Sequence, residues 1–210
     1  MTSAQNERAA LVETLRTVGP DAPTLCDGWT TRDLVAHLVV RERRPDTAPG
    51  ILIPRFAAHT EKVRRQTAAG EWDVLLGQLA DGPPVYSPMA LVDRWANLAE
   101  MFVHHEDVLR GGVAPDSDWT PRALDAQLQR DLRTPAKSIG KMSLKKVPAT
   151  VTLRTLDGDD LVTAGSGSPV TVTGAVGELV LFAFGRAPVN LEFSGDASAI
   201  AAVQASKRGL

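Results

Sequence analysis

Glu100 and His104 stand four residues apart in a run with no Gly or Pro, among Trp95, Leu98, Ala99, Phe102 and Val103. On an α-helix, residues four apart project from the same face, one turn above the other. A carboxylate and an imidazole placed so can chelate one cation, by the logic of histidine pairs on the helices of zinc enzymes. On spacing alone such a pair is more often a salt-bridged contact than a chelate. Two features favour the chelate here. The apolar neighbours imply a helix buried on two sides, and a carboxylate buried there needs a partner or a cation. A third ligand candidate, His37, lies on another apolar helix face, between Leu34, Val35, Leu38 and Val39. His37, Glu100 and His104 together would leave a coordination position open, an arrangement typical of catalytic sites; structural zinc is usually closed by four protein ligands. A cation held so would lower the pKa of a bound water or thiol toward neutrality. Two imidazoles and one carboxylate suit zinc best, and the same set serves iron, manganese and nickel. Asp33, Glu42 and Asp107 are candidates to orient the imidazoles.

The remaining histidines read differently. His105 points about 100° away from His104 on an ideal helix, so it belongs to another surface. His59, in Ala57-Ala58-His59-Thr60, reads as an edge histidine. The one cysteine, Cys26, excludes an internal disulfide, and a small buried residue under a turn is a better reading of it than a nucleophile.

Helices must position these groups. Apolar residues recur at helical spacing over residues 5–18, and Gly19-Pro20 ends that run. After a loop rich in Pro, Gly and Asp, Thr30 or Thr31 caps a helix carrying His37, limited by Pro45. Residues 51–69, interrupted near Pro54, and 72–79 read as further helices. The longest helix is expected from Met89 to Leu109, closed by Gly111-Gly112. Another is expected over Pro121 to Arg133. Past residue 145 the texture becomes strand-like: Val147–Leu153, a turn at Asp157-Gly158, then Leu161–Thr163, Val170–Thr173 and Val189–Phe193. Short helices fit 176–184 and 197–206. The expected organisation is a helical domain over 1–135 and a small α+β domain over 145–210. The stretch 130–146 between them carries six basic residues and one acidic one. Lys137, Lys141 and Lys145 can share a helix face there; a solvated connector is the simpler reading, an anion site between domains the functional one.

A formal net charge of −2 over 210 residues gives no reason to expect nucleic acid or an anionic membrane as partner. No apolar stretch reaches the roughly 20 residues of a bilayer span, and Met1–Arg8 lacks an apolar signal core. The expected location is cytoplasmic. At least two of the four tryptophans suit core packing better than a dimer interface, and both monomer and homodimer stay open. Gly165-Ser166-Gly167-Ser168 lacks the lysine and following helix of a phosphate loop, and no Ser-His-Asp set stands out.

The segment Gly28-Trp29-Thr30-Thr31-Arg32-Asp33-Leu34-Val35-Ala36-His37-Leu38 resembles the signature of the actinobacterial mycothiol-dependent maleylpyruvate isomerase N-terminal domain, part of the broader DinB-like metalloprotein group. Glu100-Met101-Phe102-Val103-His104 resembles its second signature. The resemblance implies an α+β protein: a DinB-like four-helix bundle followed by a small sterol-carrier-like domain, the latter carried by Val172-Thr173-Gly174, Glu178-Leu179 and Gly185-Arg186. It implies metal ligands at His37, Glu100 and His104. Gly19 through Trp29 and Arg41-Glu42-Arg43-Arg44-Pro45 are similar to an actinobacterial subgroup described as metal-binding, with no assigned reaction. Two functions follow as expectations. One is a metal-dependent isomerase or S-transferase using mycothiol or another small thiol on a carboxylate-bearing substrate. The other is a non-catalytic module that binds a metal and a ligand.

Overall fold

In a computed structural model, residues 1–47, 54–87, 96–113 and 119–208 are described. The chain divides into two compact units, Met1–Val113 and Ala114–Leu210. The first is helical and the second holds a small mixed sheet, so the α+β class with the helical part first is the observed one. No helix among the described residues is long and apolar enough to cross a membrane.

The helical unit is built from α1 (Ser3–Val18), α2 (Thr31–Arg43), α3 (Pro54–Ala68), α4 (Trp72–Asp81) and α5 (Ala96–Arg110), with a 3-10 turn over Pro45–Thr47. A capping box starts α1: Thr2 accepts from the Gln5 amide and the Gln5 side chain accepts from the Thr2 amide. The Asp33 carboxylate accepts the Thr30 amide at the start of α2, 3.1 Å away, and so satisfies a donor that the helix leaves unpaired. The apolar faces foreseen for α1 and α2 meet in one core of Leu11, Val12, Leu15, Leu34, Val35, Leu38 and Val39, joined by Leu75, Leu76 and Leu79 of α4 and by Met101 and Val108 of α5. Trp29 and Trp72 pack against this core. Of the long helix expected from Met89, the part from Ala96 is present and runs to Arg110; Met89–Trp95 lie outside the described residues, as do residues 51–53 of the expected third helix.

Helix α5 packs on α1 and ends where the 21–30 loop crosses it. The Leu25 amide donates to the Asp107 carbonyl at 3.0 Å. A Cβ on Gly111 would stand 2.2 Å from the Pro23 carbonyl oxygen. The glycine therefore does more than stop a helix: it lets the loop lie directly on the end of α5.

In the second unit, α6 (Ala126–Ser143) begins at Asp125, whose carboxylate accepts the Gln127 and Leu128 amides at 2.8 and 2.9 Å. It starts and ends later than the expected 121–133 and takes in most of the basic stretch. Its buried residues Leu128, Leu132, Ala136 and Gly140 recur at helical spacing, and a Cβ on Gly140 would meet the Leu153 and Val162 side chains at 3.0 and 2.9 Å. That packed face, rather than the charges, sets the helix's extent. The strands β1 (Thr150–Thr155), β2 (Asp160–Gly165), β3 (Pro169–Gly174) and β4 (Glu192–Gly195) take the order β2-β1-β3-β4. β1 pairs antiparallel with β2 and parallel with β3. Its inward residues Val151, Leu153 and Thr155 are buried. The helix α7 (Val176–Ala183) is buried along its whole length, and α8 (Ala197–Ala205) closes the chain's described part. β4 forms later than the expected 189–193. The Asn190 amide donates to the buried Glu178 carboxylate at 2.8 Å, and pairing with β3 begins only at Glu192.

One buried ion pair ties three helices. Both guanidinium nitrogens of Arg8 on α1 donate to Glu42 on α2, at 2.9 and 2.5 Å, and Arg8 also donates to the Leu79 carbonyl on α4. Glu42 is fully buried. Removing one partner of such a pair strands a charge at a cost of about 3–5 kcal/mol, whereas replacing both by apolar groups is often close to neutral. Arg8→Met should therefore lower the unfolding free energy by about that amount, and Arg8→Met with Glu42→Leu should recover most of it. Urea denaturation of the three proteins checks this.

Candidate metal centre

α2 and α5 bring the three expected ligands together. Ligand atoms of His37, Glu100 and His104 all lie within 4.8 Å of one another. Glu100 Oε1 is 3.6 Å from His37 Nε2 and 3.2 Å from His104 Nε2. The two imidazoles meet edge to face with centroids 5.3 Å apart. Glu100 and His104 share a face one turn apart, as their spacing requires; His37 reaches them from α2. The His37 and Glu100 side chains keep 29% and 24% of their exposure, while His104 keeps 8%. The cluster is thus most enclosed at His104 and keeps partial exposure at His37 and Glu100.

Each candidate ligand is braced. The His104 Nδ1 lies 2.9 Å from Asp107 Oδ2, and Asp107 is fully buried. A carboxylate on Nδ1 fixes the tautomer and leaves Nε2 facing Glu100 and His37. Trp29 stacks at a tilt on His37, 5.3 Å between centroids, and the Arg64 guanidinium lies 4.8 Å from the Trp29 ring centroid. Arg41, one turn beyond His37 on α2, places Nε 3.7 Å from Glu100 Oε2 and donates to Asn97 at 2.5 Å.

The electrostatics, with the protein's own charges alone, favour an ionised carboxylate. Burial works to raise the Glu100 pKa, but hydrogen bonds with His104 and His37 and the charge of Arg41 hold it well below the ordinary range. Burial works against a charged His104, yet Asp107, Cys26 and Glu100 outweigh it and lift its pKa well above the usual value. Burial pushes His37 down toward the neutral, ligating form.

The other candidates fall elsewhere. His105 is on a different face of α5, where it bonds Glu7 at 2.8 Å and Thr14 at 2.9 Å on α1. His59 pairs with Asp46 at 3.1 Å on the surface. Of the three suggested orienting carboxylates, Asp107 alone touches a ligand; Asp33 bonds Thr30 and Arg64, and Glu42 bonds Arg8. Two participants escaped the sequence reading. Arg41 carried a signal, four residues from His37 on one helix. Cys26 carried none: its Sγ lies 3.2 Å from Asp107 Oδ2 and 4.0 Å from His104 Nδ1 because the 21–30 loop folds onto α5.

The donor set fits a divalent cation. Two imidazoles and a carboxylate converge, one imidazole is held by a buried carboxylate, and one side faces water.

Comparison with known proteins agrees with this architecture. Residues 2–103 match the family described as the mycothiol maleylpyruvate isomerase N-terminal domain. Over 91% of its length the chain shares the fold of a crystal structure of the mycothiol-dependent maleylpyruvate isomerase, at 16% identity and a TM-score of 0.58, covering 88% of that chain. A histidine-to-alanine mutant of such an isomerase gives 17% identity and a TM-score of 0.60, covering 90% of that chain. No curated protein matches the sequence significantly.

Arg64 links this site to acid stability. It donates to Asp33 at 2.5 Å and to both Glu61 oxygens at 2.8 Å. Hydrogen bonds from Arg64 lower the Glu61 pKa to about 2; burial works to raise Asp33, but Arg64 and Thr30 hold it below its ordinary value. Carboxyls with depressed folded-state pKa values stabilise fully above their unfolded values, near pH 4, and lose that contribution as pH falls through the folded ones. Arg64→Met should lower stability by about 1–2 kcal/mol at pH 6, and the gap from wild type should narrow toward pH 2.5. Denaturant midpoints at both pH values read it out.

Proposed function

We propose that the helical unit holds one divalent cation between His37, Glu100 and His104 and serves thiol-dependent isomerisation or transfer on a small carboxylate-bearing molecule. The observation that carries this reading is the convergence of three candidate ligands, two imidazoles and a carboxylate, on one partly open point, within the fold of a thiol-dependent isomerase. Zinc suits the donors best; nickel, iron and manganese share the ligand preference. The cation would supply positive charge that keeps a thiol ionised near neutral pH.

This chain's residues divide the remaining work. With a cation bound, His37 and His104 would each offer Nε2 as a ligand atom, the second oriented by Asp107 on its Nδ1. Glu100 contributes the anionic oxygen. Trp29 stacks on one side of His37 and restricts its ring. Arg41 sets a guanidinium beside Glu100, where a carboxylate of the substrate can pair with it. Mycothiol, the thiol named for the solved isomerase, is the co-substrate this reading selects, and a cis-unsaturated keto acid of the maleylpyruvate type is the substrate to try first.

The metal-loaded chain should isomerise such an acid only when thiol is present. His37→Ala and prior chelation should each reduce the rate to that of thiol alone. Absorbance of the conjugated acid follows the reaction. Tight thiol binding without turnover would instead define a metal-dependent ligand-binding module and overturn the enzymatic reading.

A further inference from the structure

His104 has two ring nitrogens, and the structure gives each its own set of partners. Nε2 faces His37 and Glu100. Nδ1 faces a second group, in which ligand atoms of Cys26, His104 and Asp107 also lie within 4.8 Å of one another. We propose that Cys26, His104 and Asp107 form a second, thiolate-containing seat for a soft or borderline divalent cation, with the His104 ring bridging the two seats. This goes beyond the function proposed above; the bridge rests on the cation seat proposed there, and the thiolate seat itself does not.

The distances suit a small cation. An ion bound tetrahedrally at about 2.3 Å from sulfur and about 2.0–2.1 Å from nitrogen and oxygen needs donors roughly 3.3–3.7 Å apart. Here Sγ to Oδ2 is 3.2 Å, Nδ1 to Oδ2 is 2.9 Å and Sγ to Nδ1 is 4.0 Å. Small side-chain rotations close those differences. The backbone that carries them is fixed. Asp107 and His104 are one turn apart on α5, and the Cys26 loop is tied to the same helix by the Leu25 amide and by the close approach over Gly111. Cys26 is half-buried.

The chemistry of the seat differs from its neighbour's. The sulfur favours cations such as zinc, cadmium or cobalt over magnesium or calcium. Filling it replaces two protons with one dication: the thiol proton now given to Asp107, and the proton on His104 Nδ1, both of which leave to solvent. With both seats filled, thiolate, two carboxylates and a bridging imidazolate carry four negative charges against two dications.

Cobalt and cadmium titrations of the full chain test the proposal, because thiolate ligation adds an intense ultraviolet charge-transfer band that imidazole and carboxylate do not. Wild type should develop that band, and so should His37→Ala, which breaks only the first seat. Cys26→Ser should abolish it, and Asp107→Asn should weaken the affinity behind it at least tenfold. In wild type, cadmium should also slow the reaction of Cys26 with a disulfide reagent at least tenfold, a readout that needs no variant. Saturating metal with no thiolate band and an unprotected thiol would overturn the second seat; Cys26 and Asp107 would then be orienting partners of His104. Failure of the first seat would show instead as lost thiol-dependent turnover with the band intact.

Discussion

A carboxylate partly withdrawn from water, between two imidazoles and a guanidinium, is the feature around which the helical unit is arranged. Glu100 stays ionised because His104, His37 and Arg41 surround it. Those neighbours must come from two helices, since one helix face offers only a turn's worth of side chains in reach. The packing of α2 against the rest of the bundle is therefore part of the site. The Arg8–Glu42 pair and the shared Leu34, Val35 and Leu38 core set where His37 arrives.

Helix α5 does two jobs with adjacent histidines. His104 looks to α2 and the Cys26 loop, while His105 looks to Glu7 and Thr14 on α1. Both are buried, and both have a carboxylate on Nδ1. Their different roles follow from the turn of the helix between consecutive residues. One imidazole becomes a bundle contact and the other turns its second nitrogen to a partly open cluster.

Much of this was legible in the sequence because it rests on periodicity. The apolar spacing along α1, α2 and α5, the Thr30–Asp33 start of α2 and the Glu100–His104 pair all follow from helical geometry. The alternation in β1 and β3 did the same for the sheet. What stayed hidden depends on distant chain segments meeting. Cys26 reaches Asp107 only because a loop crosses the end of α5, and Gly111, which looks like a helix stop, is needed for that crossing. The extent of α6 was obscured by its charges, since four small or aliphatic residues on one face decide it. The unpaired start of the last expected strand reflects a hydrogen bond from Asn190 to Glu178, which no local pattern announces.

The proposed function rests most directly on the union of His37, Glu100 and His104 around one cation. The decisive measurement is the metal content of the purified chain by elemental analysis after zinc reconstitution and desalting, beside Glu100→Ala with its fold verified by circular dichroism. With Cys26→Ser as the common background, the account predicts about one equivalent in the parent and none in the Glu100→Ala variant. A parent that retains no metal, or a variant that retains the same amount, would contradict it and leave the cluster as a buried ion-pair network.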